Sequence, residues 1–438
     1  MTMLSARPAA SAAPTPEAFV PELLLPAGDM ERFRTAVLYG ANAVYLGGTT
    51  GNLRASSQGL STEELREAVT LANASDVKIY YCLNSMPFER QMAAIPNIAA
   101  TAADANVHAF IVADPGIFRI VRRIAPHIPV HVSTQANTTN AEAVMFWRDL
   151  GASRVNMARE LSFRDIASIR NTLPEMELEV FLHGAMCLAV SGQCLLSAWI
   201  NNRPANQGKC TQPCRFEYRA VDAVLPEALV VEEALRPGKG LWSIQQDEDY
   251  AAVFAPEDLC LLPFLRWFMK KRITSLKVEG RMKGSAYVAH VADTYRSAID
   301  AAAVALASGS KFPFRRYLPD LARTALRPLS TGFFLPERRR LDDGYKRTAK
   351  QLPLMGRVTE PFDTAKGAWA VEVRGRWDTN AAIELMLPGM RRPVLSPGEY
   401  AVENHRGEKN GIAASGTRAT LYTDREDIEP GIFIRGVV

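Results

Sequence analysis

The sequence predicts an α/β fold: a (β/α)8 TIM-like barrel with a cysteine-rich insertion after its seventh strand, followed by a small C-terminal antiparallel β-barrel domain. Three observations predict it. From Pro21 onward, short β-branched or leucine-rich runs alternate with segments whose apolar residues recur every three or four positions. That alternation is interrupted once, by an excursion of roughly seventy residues where a connection of about 2 to 6 is usual. After Pro353 the chain changes to short strands divided by Gly, Pro, Asp and Asn turns.

The strand candidates, in order, are "ELLLPA", "AVYLGG", "VKIYYCLN", "AFIVAD", "VHVSTQ", "RVNMAREL", "LEVFLHG" and "SLKVEG". Between the first seven lie helix-period segments such as "DMERFRTAVLYG", "STEELREAVTLANA", "PGIFRIVRRIA" and "NAEAVMFWRDLG". Eight apolar strands with helical crossovers imply a closed barrel, a doubly wound open sheet being the alternative. The expected organisation is a disordered tail over 1–20, a barrel over 21–310 with its insertion at 184–256, a basic linker over 311–352 and a β domain over 353–438. The helix after strand seven is expected in "EDLCLLPFLRWFMKKR", from about Glu257.

Composition excludes some classes of protein. No run of 18 apolar residues occurs, so no membrane span is expected, and the Ala- and Pro-rich start lacks the apolar centre of a signal peptide. A cytoplasmic location is the simplest expectation. In that reducing compartment, clustered cysteines point to metal or redox chemistry rather than to disulfides. A net charge of +4 does not by itself argue for nucleic acid, but residues 311–350 hold eleven Lys or Arg against four acids. Such a run reads first as solvated surface, and a phosphate backbone could exploit it.

In a barrel of this class, chemistry gathers where strands end and βα loops begin. Those ends carry Asn84, Asp114, Gln135, Arg159 with Glu160, His183, and Glu279 with Arg281. The loop "GGTTGNLR" adds Arg54, which could meet a carboxylate or phosphate through two parallel hydrogen bonds. His183, Glu279, Asp114 and Glu160 are the candidate catalytic groups, and Arg54, Asn84, Gln135, Arg159 and Arg281 the candidate substrate-binding ones. The plain alternative is that many of them cap helices or cross-pair around the rim.

Five of six cysteines, Cys187, Cys194, Cys210, Cys214 and Cys260, lie between the excursion and the helix expected after it. Structural zinc sites favour two tight pairs, which "CTQPC" supplies once, whereas an iron–sulfur cluster accepts scattered ligands. The spacing therefore favours a cluster, with one of the five thiols left over. Cys82, inside an apolar strand, reads as core. A rival reading makes Cys187 a nucleophile served by His183 four positions earlier.

The stretch "ExFxxGAMCxxxxGxCxLS", Glu179 to Ser197, resembles the signature of the collagenase-like peptidase family U-32. Supporting similarity comes from "LLLPAG" at Leu23, "YLGG" at Tyr45, "AREL" at Ala158, "CTQPCR" at Cys210, "EDLC" at Glu257 and "KVEGRMK" at Lys277. The loop "GGTTGNLRASSQG" departs from the family's aromatic-containing version. The name implies proteolysis, yet several members are oxygen-independent hydroxylation proteins with a 4Fe-4S cluster, acting on tRNA wobble uridine, rRNA cytidine or a quinone ring. The long chain with its added β domain is most similar to the tRNA branch. The resemblance thus implies an RNA-modifying hydroxylase that forms 5-hydroxyuridine in tRNA. It implies Cys187, Cys194, Cys210 and Cys260 as cluster ligands with Cys214 as alternate, and prephenate or a similar small anion as oxygen donor. An electron donor or partner protein is a further expected partner. Phe333 and Phe334 are available to stack on bases. The alternatives are a cysteine peptidase, or hydroxylation of rRNA or a quinone.

Overall fold

The computed structural model describes residues 19–49, 59–187, 189–203, 205, 209–216, 218–220, 229–234, 237, 242–244, 257–325, 327–335, 341, 353–363, 367–409 and 411–437. Seven parallel strands run in sequence: β1 (Glu22–Pro26), β2 (Ala43–Leu46), β3 (Lys78–Leu83), β4 (Ala109–Val112), β5 (Val130–Val132), β6 (Arg154–Asn156) and β7 (Glu177–Ala185). An eighth, Ser275–Val278, pairs with β1 on one side and β7 on the other, which closes the barrel. All eight expected strands are present. Five of the helices begin at side-chain caps: Asp29, Ser61, Asp114, Asn140 and Ser162 each accept a backbone N–H of the first turn.

The barrel interior has two halves. Leu24, Ala43, Tyr45, Tyr80, Cys82, Ala109 and Ile111, from the first four strands, form an apolar cluster. Opposite them the strands alternate polar with apolar, as in "RVN" and "SLKV", and the polar positions meet as ion pairs. Arg154 Nη1 lies 2.7 Å from Glu22 and its Nε 2.8 Å from Glu177, while Lys277 Nζ lies 2.7 Å from Glu179. All of these but the half-exposed Glu177 are largely buried, and charges so placed persist because each has a partner.

At its far end β7 departs from regular pairing. Lys277 stands opposite Phe181, but Val278 stands opposite His183, so Leu182 is an extra residue and the ladder bulges. One extra residue reverses which face the following side chains occupy. Beyond it the chain adds a strand outside the barrel, Asp258–Cys260, antiparallel to His183–Ala185, and Leu329–Ser330 extends that edge. The segment expected as one helix from Glu257 therefore splits into this strand and a helix limited to Leu265–Lys270. Pairing with the free edge of β7 overrides its helical apolar period.

The expected linker is also folded over its first part. Leu318–Thr324 is helical, and Phe334, 3% exposed, packs among Phe163, Phe264, Trp267 and Phe268. Phe334 is thus a packing residue and only Phe333, half exposed, faces outward. Residues 338–340, "RRR", lie outside the described residues.

The C-terminal region is a seven-stranded antiparallel sheet curled about its own core of Val358, Trp377, Leu385, Leu421 and neighbours. It is docked on the barrel's last helix, Ser285–Ala307. The buried Asp293 carboxylate there accepts the Gly389 and Met390 N–H groups and pairs with Arg392 at 2.6 Å. Among the described residues, no helix is long and apolar enough to cross a membrane.

The two kinds of ion pair predict different costs. Arg154→Leu, which strands buried carboxylates, should lose about 3–5 kcal/mol in urea unfolding. Arg148→Leu, which breaks exposed pairs with Asp149 and Glu175, should lose far less. Equal losses would contradict a charged barrel core.

Candidate active site

The strand ends and the insertion together enclose a cavity of about 140 Å³. Its lining has three levels, set by where each residue lies relative to the strands. Deepest are residues within strands: Tyr45, Cys82, Asn156, Phe181 and Lys277. Next come residues just past strand ends: Asn84, Ser133, Gln135, Arg159, Glu279 and Arg281. Uppermost are the insertion residues Cys187, Cys194, Cys210 and Cys214.

The thiol loop between Cys187 and Cys194 is fastened to the rim by three contacts. Ser191 donates its N–H to Glu160 Oε1 at 2.8 Å and its hydroxyl to Asn137 at 2.7 Å, and Gln193 donates to the Gln135 carbonyl at 3.0 Å. Ser191 and Gly192 both take left-handed conformations, and a Cβ on Gly192 would come within 2.4 Å of Gln135. The "SG" pair is therefore what lets the loop lie flat against the barrel mouth. Backbone groups point at the sulfurs: Gln212 donates to Cys210 Sγ at 3.3 Å, and Ala189 donates to Cys187.

No disulfide joins the six cysteines, all of which are among the described residues. Among those residues no three His, Cys, Asp or Glu groups converge on one metal ion. Cys187, Cys194, Cys210 and Cys214 nevertheless line one cavity, and thiols are the ligands that zinc and iron–sulfur clusters share.

The walls below are cationic. Arg159 lies 3.8 Å above the Phe181 ring and 3.7 Å from Glu279, and the Lys277 ammonium sits over Tyr45 at 4.5 Å. Arg281, 3% exposed, has Nε and Nη2 without a hydrogen-bond partner; so do Gln135 Oε1 and both polar atoms of Asn156. Buried polar atoms of this kind are uncommon in a folded interior and mark a place where a ligand completes the bonding.

Of the residues singled out in the sequence, Asn84, Gln135, Arg159, Glu279, Arg281 and four thiols meet in this cavity. Others are placed elsewhere. Asp114 caps the helix Pro115–Ile124 through the Ile117 N–H, and Glu160 holds the thiol loop. His183, expected at the mouth, is turned outward by the bulge onto Tyr295, whose hydroxyl is 3.1 Å from Nδ1. The same hydroxyl lies 3.5 Å from Cys260 Sγ, within the core. Arg54 lies outside the described residues. Cys82, read as core, is buried and also lines the cavity.

The nucleophile and base of the peptidase reading are not assembled. Burial pushes the Cys187 thiol up, against the opposing pull of the Ala189 N–H and Arg159, whereas a nucleophilic thiol needs the reverse. His183 faces away, and burial beside Lys283 holds its pKa down at about 3. Sequence reasoning missed Asn156 and Lys277. The available signal was a polar residue at an inward position of a strand, as in "RVN" and "SLKV".

The family model described as Peptidase family U32 matches residues 28–343. The chain is 34% identical to "tRNA hydroxylation protein P" of Escherichia coli K12 over 94% of its own length and 95% of that protein. It is 37% identical to "tRNA hydroxylation protein P1" of Bacillus subtilis over 72% of this chain and 71% of that one. It is 31% identical to "Collagenase" of Porphyromonas gingivalis, over 64% of this chain and 66% of that one.

The buried imidazole gives a pH prediction. His183 gains its proton near pH 6.5 only in the unfolded chain, so stability should fall as pH drops below that value. The loss should be about 1.4 kcal/mol per unit down to about pH 3, with His131 and His290, also held low by burial, steepening it. In urea melts at pH 6.5 and 4.5, His183→Gln should remove one proton's share of that loss. An unchanged slope would contradict a neutral buried ring.

Proposed function

This chain belongs to peptidase family U32, and from that we propose that it hydroxylates RNA without molecular oxygen, forming 5-hydroxyuridine at the tRNA wobble position. The observation that carries the reading is the cavity itself, with thiols around its upper wall and guanidinium groups and unpartnered amides beneath. The similarity to a tRNA hydroxylation protein along nearly the whole of both chains supports the choice of RNA.

A 4Fe-4S cluster is the proposed cofactor, and when bound it would supply one-electron chemistry at the cavity mouth. Cys187, Cys194 and Cys210 are the proposed ligands, a choice supported by the family pattern and by their place in the cavity lining. The fourth is Cys260 by the pattern and Cys214 by the lining. Arg159 and Arg281 face the space where a small anion such as prephenate would lie as oxygen donor, and a guanidinium matches a carboxylate with two parallel hydrogen bonds. Glu279, beside Arg159, keeps that guanidinium oriented toward the cavity. At the mouth Leu195, 80% exposed between two cavity-lining residues, offers an apolar surface to an incoming base. Arg315, Arg316 and Arg323, on the folded segment after the last barrel helix, are available to the phosphate backbone.

Anaerobically purified protein should contain about four irons with matching sulfide. Cys194→Ala should lose both, and of Cys214→Ala and Cys260→Ala the one that loses iron identifies the fourth ligand. Given prephenate and a reductant, the wild-type protein should add one oxygen to a wobble uridine, detected by mass spectrometry of digested tRNA. Iron-free, folded wild-type protein would overturn the reading.

A further inference from the structure

The most informative unexplained group is the side chain of Asn156. It is the last residue of β6, 2% exposed, and lines the cavity below the thiols. Neither its Nδ2 nor its Oδ1 has a hydrogen-bond partner. Close at hand in the same lining are Gln135 Oε1 and the Nε and Nη2 of Arg281, also without partners. An amide with an open NH2 and an open oxygen, in the same lining as a guanidinium with two open nitrogens, is complementary to a small molecule of a particular kind. That molecule carries a carboxylate for the guanidinium and a hydroxyl that accepts from the amide N–H and donates to the amide oxygen. A purely anionic ligand would leave the Asn156 oxygen unmet, and an apolar one would leave every group unmet.

We propose that Asn156, with Gln135 and Arg281, forms a floor subsite for a small carboxylate bearing a hydroxyl group. In this subsite Asn156 reads the neutral oxygen, and the ligand binds there without RNA. The inference rests on the hydroxylation reading for the ligand's identity, prephenate, which carries both kinds of group. It goes beyond that reading in assigning selectivity to a neutral side chain and in placing small-molecule binding before RNA binding. The layering of the cavity gives the order: the floor residues lie within or just past the strands, below the thiols, so an RNA base arriving from the mouth stands above them. The same geometry explains why Asn156 is kept in the core. In the ligand-free chain the amide contributes nothing to folding, since hydrophobic contacts of the same shape would serve better there.

The test is isothermal titration of prephenate into anaerobically purified full-length protein without RNA, paired with thermal melts. Wild-type protein should bind. Asn156→Leu, close in volume, should bind at least about tenfold more weakly while melting at or above the wild-type temperature. Asn156→Asp, which adds a negative charge facing the ligand's carboxylate, should bind more weakly still. The proposal is overturned if wild-type protein fails to bind without RNA, if Asn156→Leu binds like wild type, or if Asn156→Leu melts markedly lower. The last outcome would make the residue structural. Binding that depends on Asn156 without any tRNA hydroxylation would retire the reading above and leave the subsite standing. Hydroxylation by Asn156→Leu with an unchanged KM for prephenate would do the reverse.

Discussion

The bulge where β7 meets the eighth strand is the constraint on which the rest of the molecule depends. Gly184, just after it, has a φ of +108°, and a Cβ there would stand 2.6 Å from the Glu279 carbonyl. Only glycine lets the two strands approach so closely while one turns away. From that junction β7 sends Ala185, Met186 and Cys187 toward the cavity, the eighth strand sends Glu279 and Arg281 to the same space, and His183 is displaced to the outside. Without the extra residue, His183 would occupy the cavity and the thiol loop would start on the wrong face.

A second consequence of that junction runs through the last barrel helix. Ser285–Ala307 receives His183 and Cys260 on Tyr295, and two residues away Asp293 is locked to the C-terminal sheet through Arg392 and two backbone N–H groups. His290 on the same helix contacts Arg435, which pairs with Glu384 of that sheet. One rigid element thus braces both the wall behind the thiols and the added β domain. The domain's distance from the cavity is set by helix geometry and not by a linker.

Much of this was legible in the sequence, for reasons specific to each element. The eight strands announced themselves because both faces of a barrel strand are buried, whereas Asp114 was read as catalytic because an acid at a strand end looks the same in sequence whether it caps a helix or faces a ligand. The cavity thiols were legible from the long excursion that holds them. The orientation of His183 was not, because a bulge is a matter of pairing and leaves no period to read in one strand. Asp258–Cys260 was misread as helix because "LCLLPFLRWF" has a helical apolar spacing that only the free edge of β7 overrides. Asn156 escaped notice because an inward polar residue in an alternating strand looks the same whether it is bonded to a neighbour, as Arg154 is, or to nothing.

The thiol-bearing excursion leaves the barrel at Ala185 and returns at Asp258, and these two residues are direct partners across a strand pair. Its ends are therefore clasped together by the fold itself, whatever lies between. For a segment held this way, doubling the intervening length adds only about 0.6 kcal/mol of closure cost. The region is in effect a cassette. Its sequence can be lengthened, trimmed or exchanged over evolutionary time without renegotiating the scaffold, so that one inherited barrel can acquire different lids and, with them, different clients.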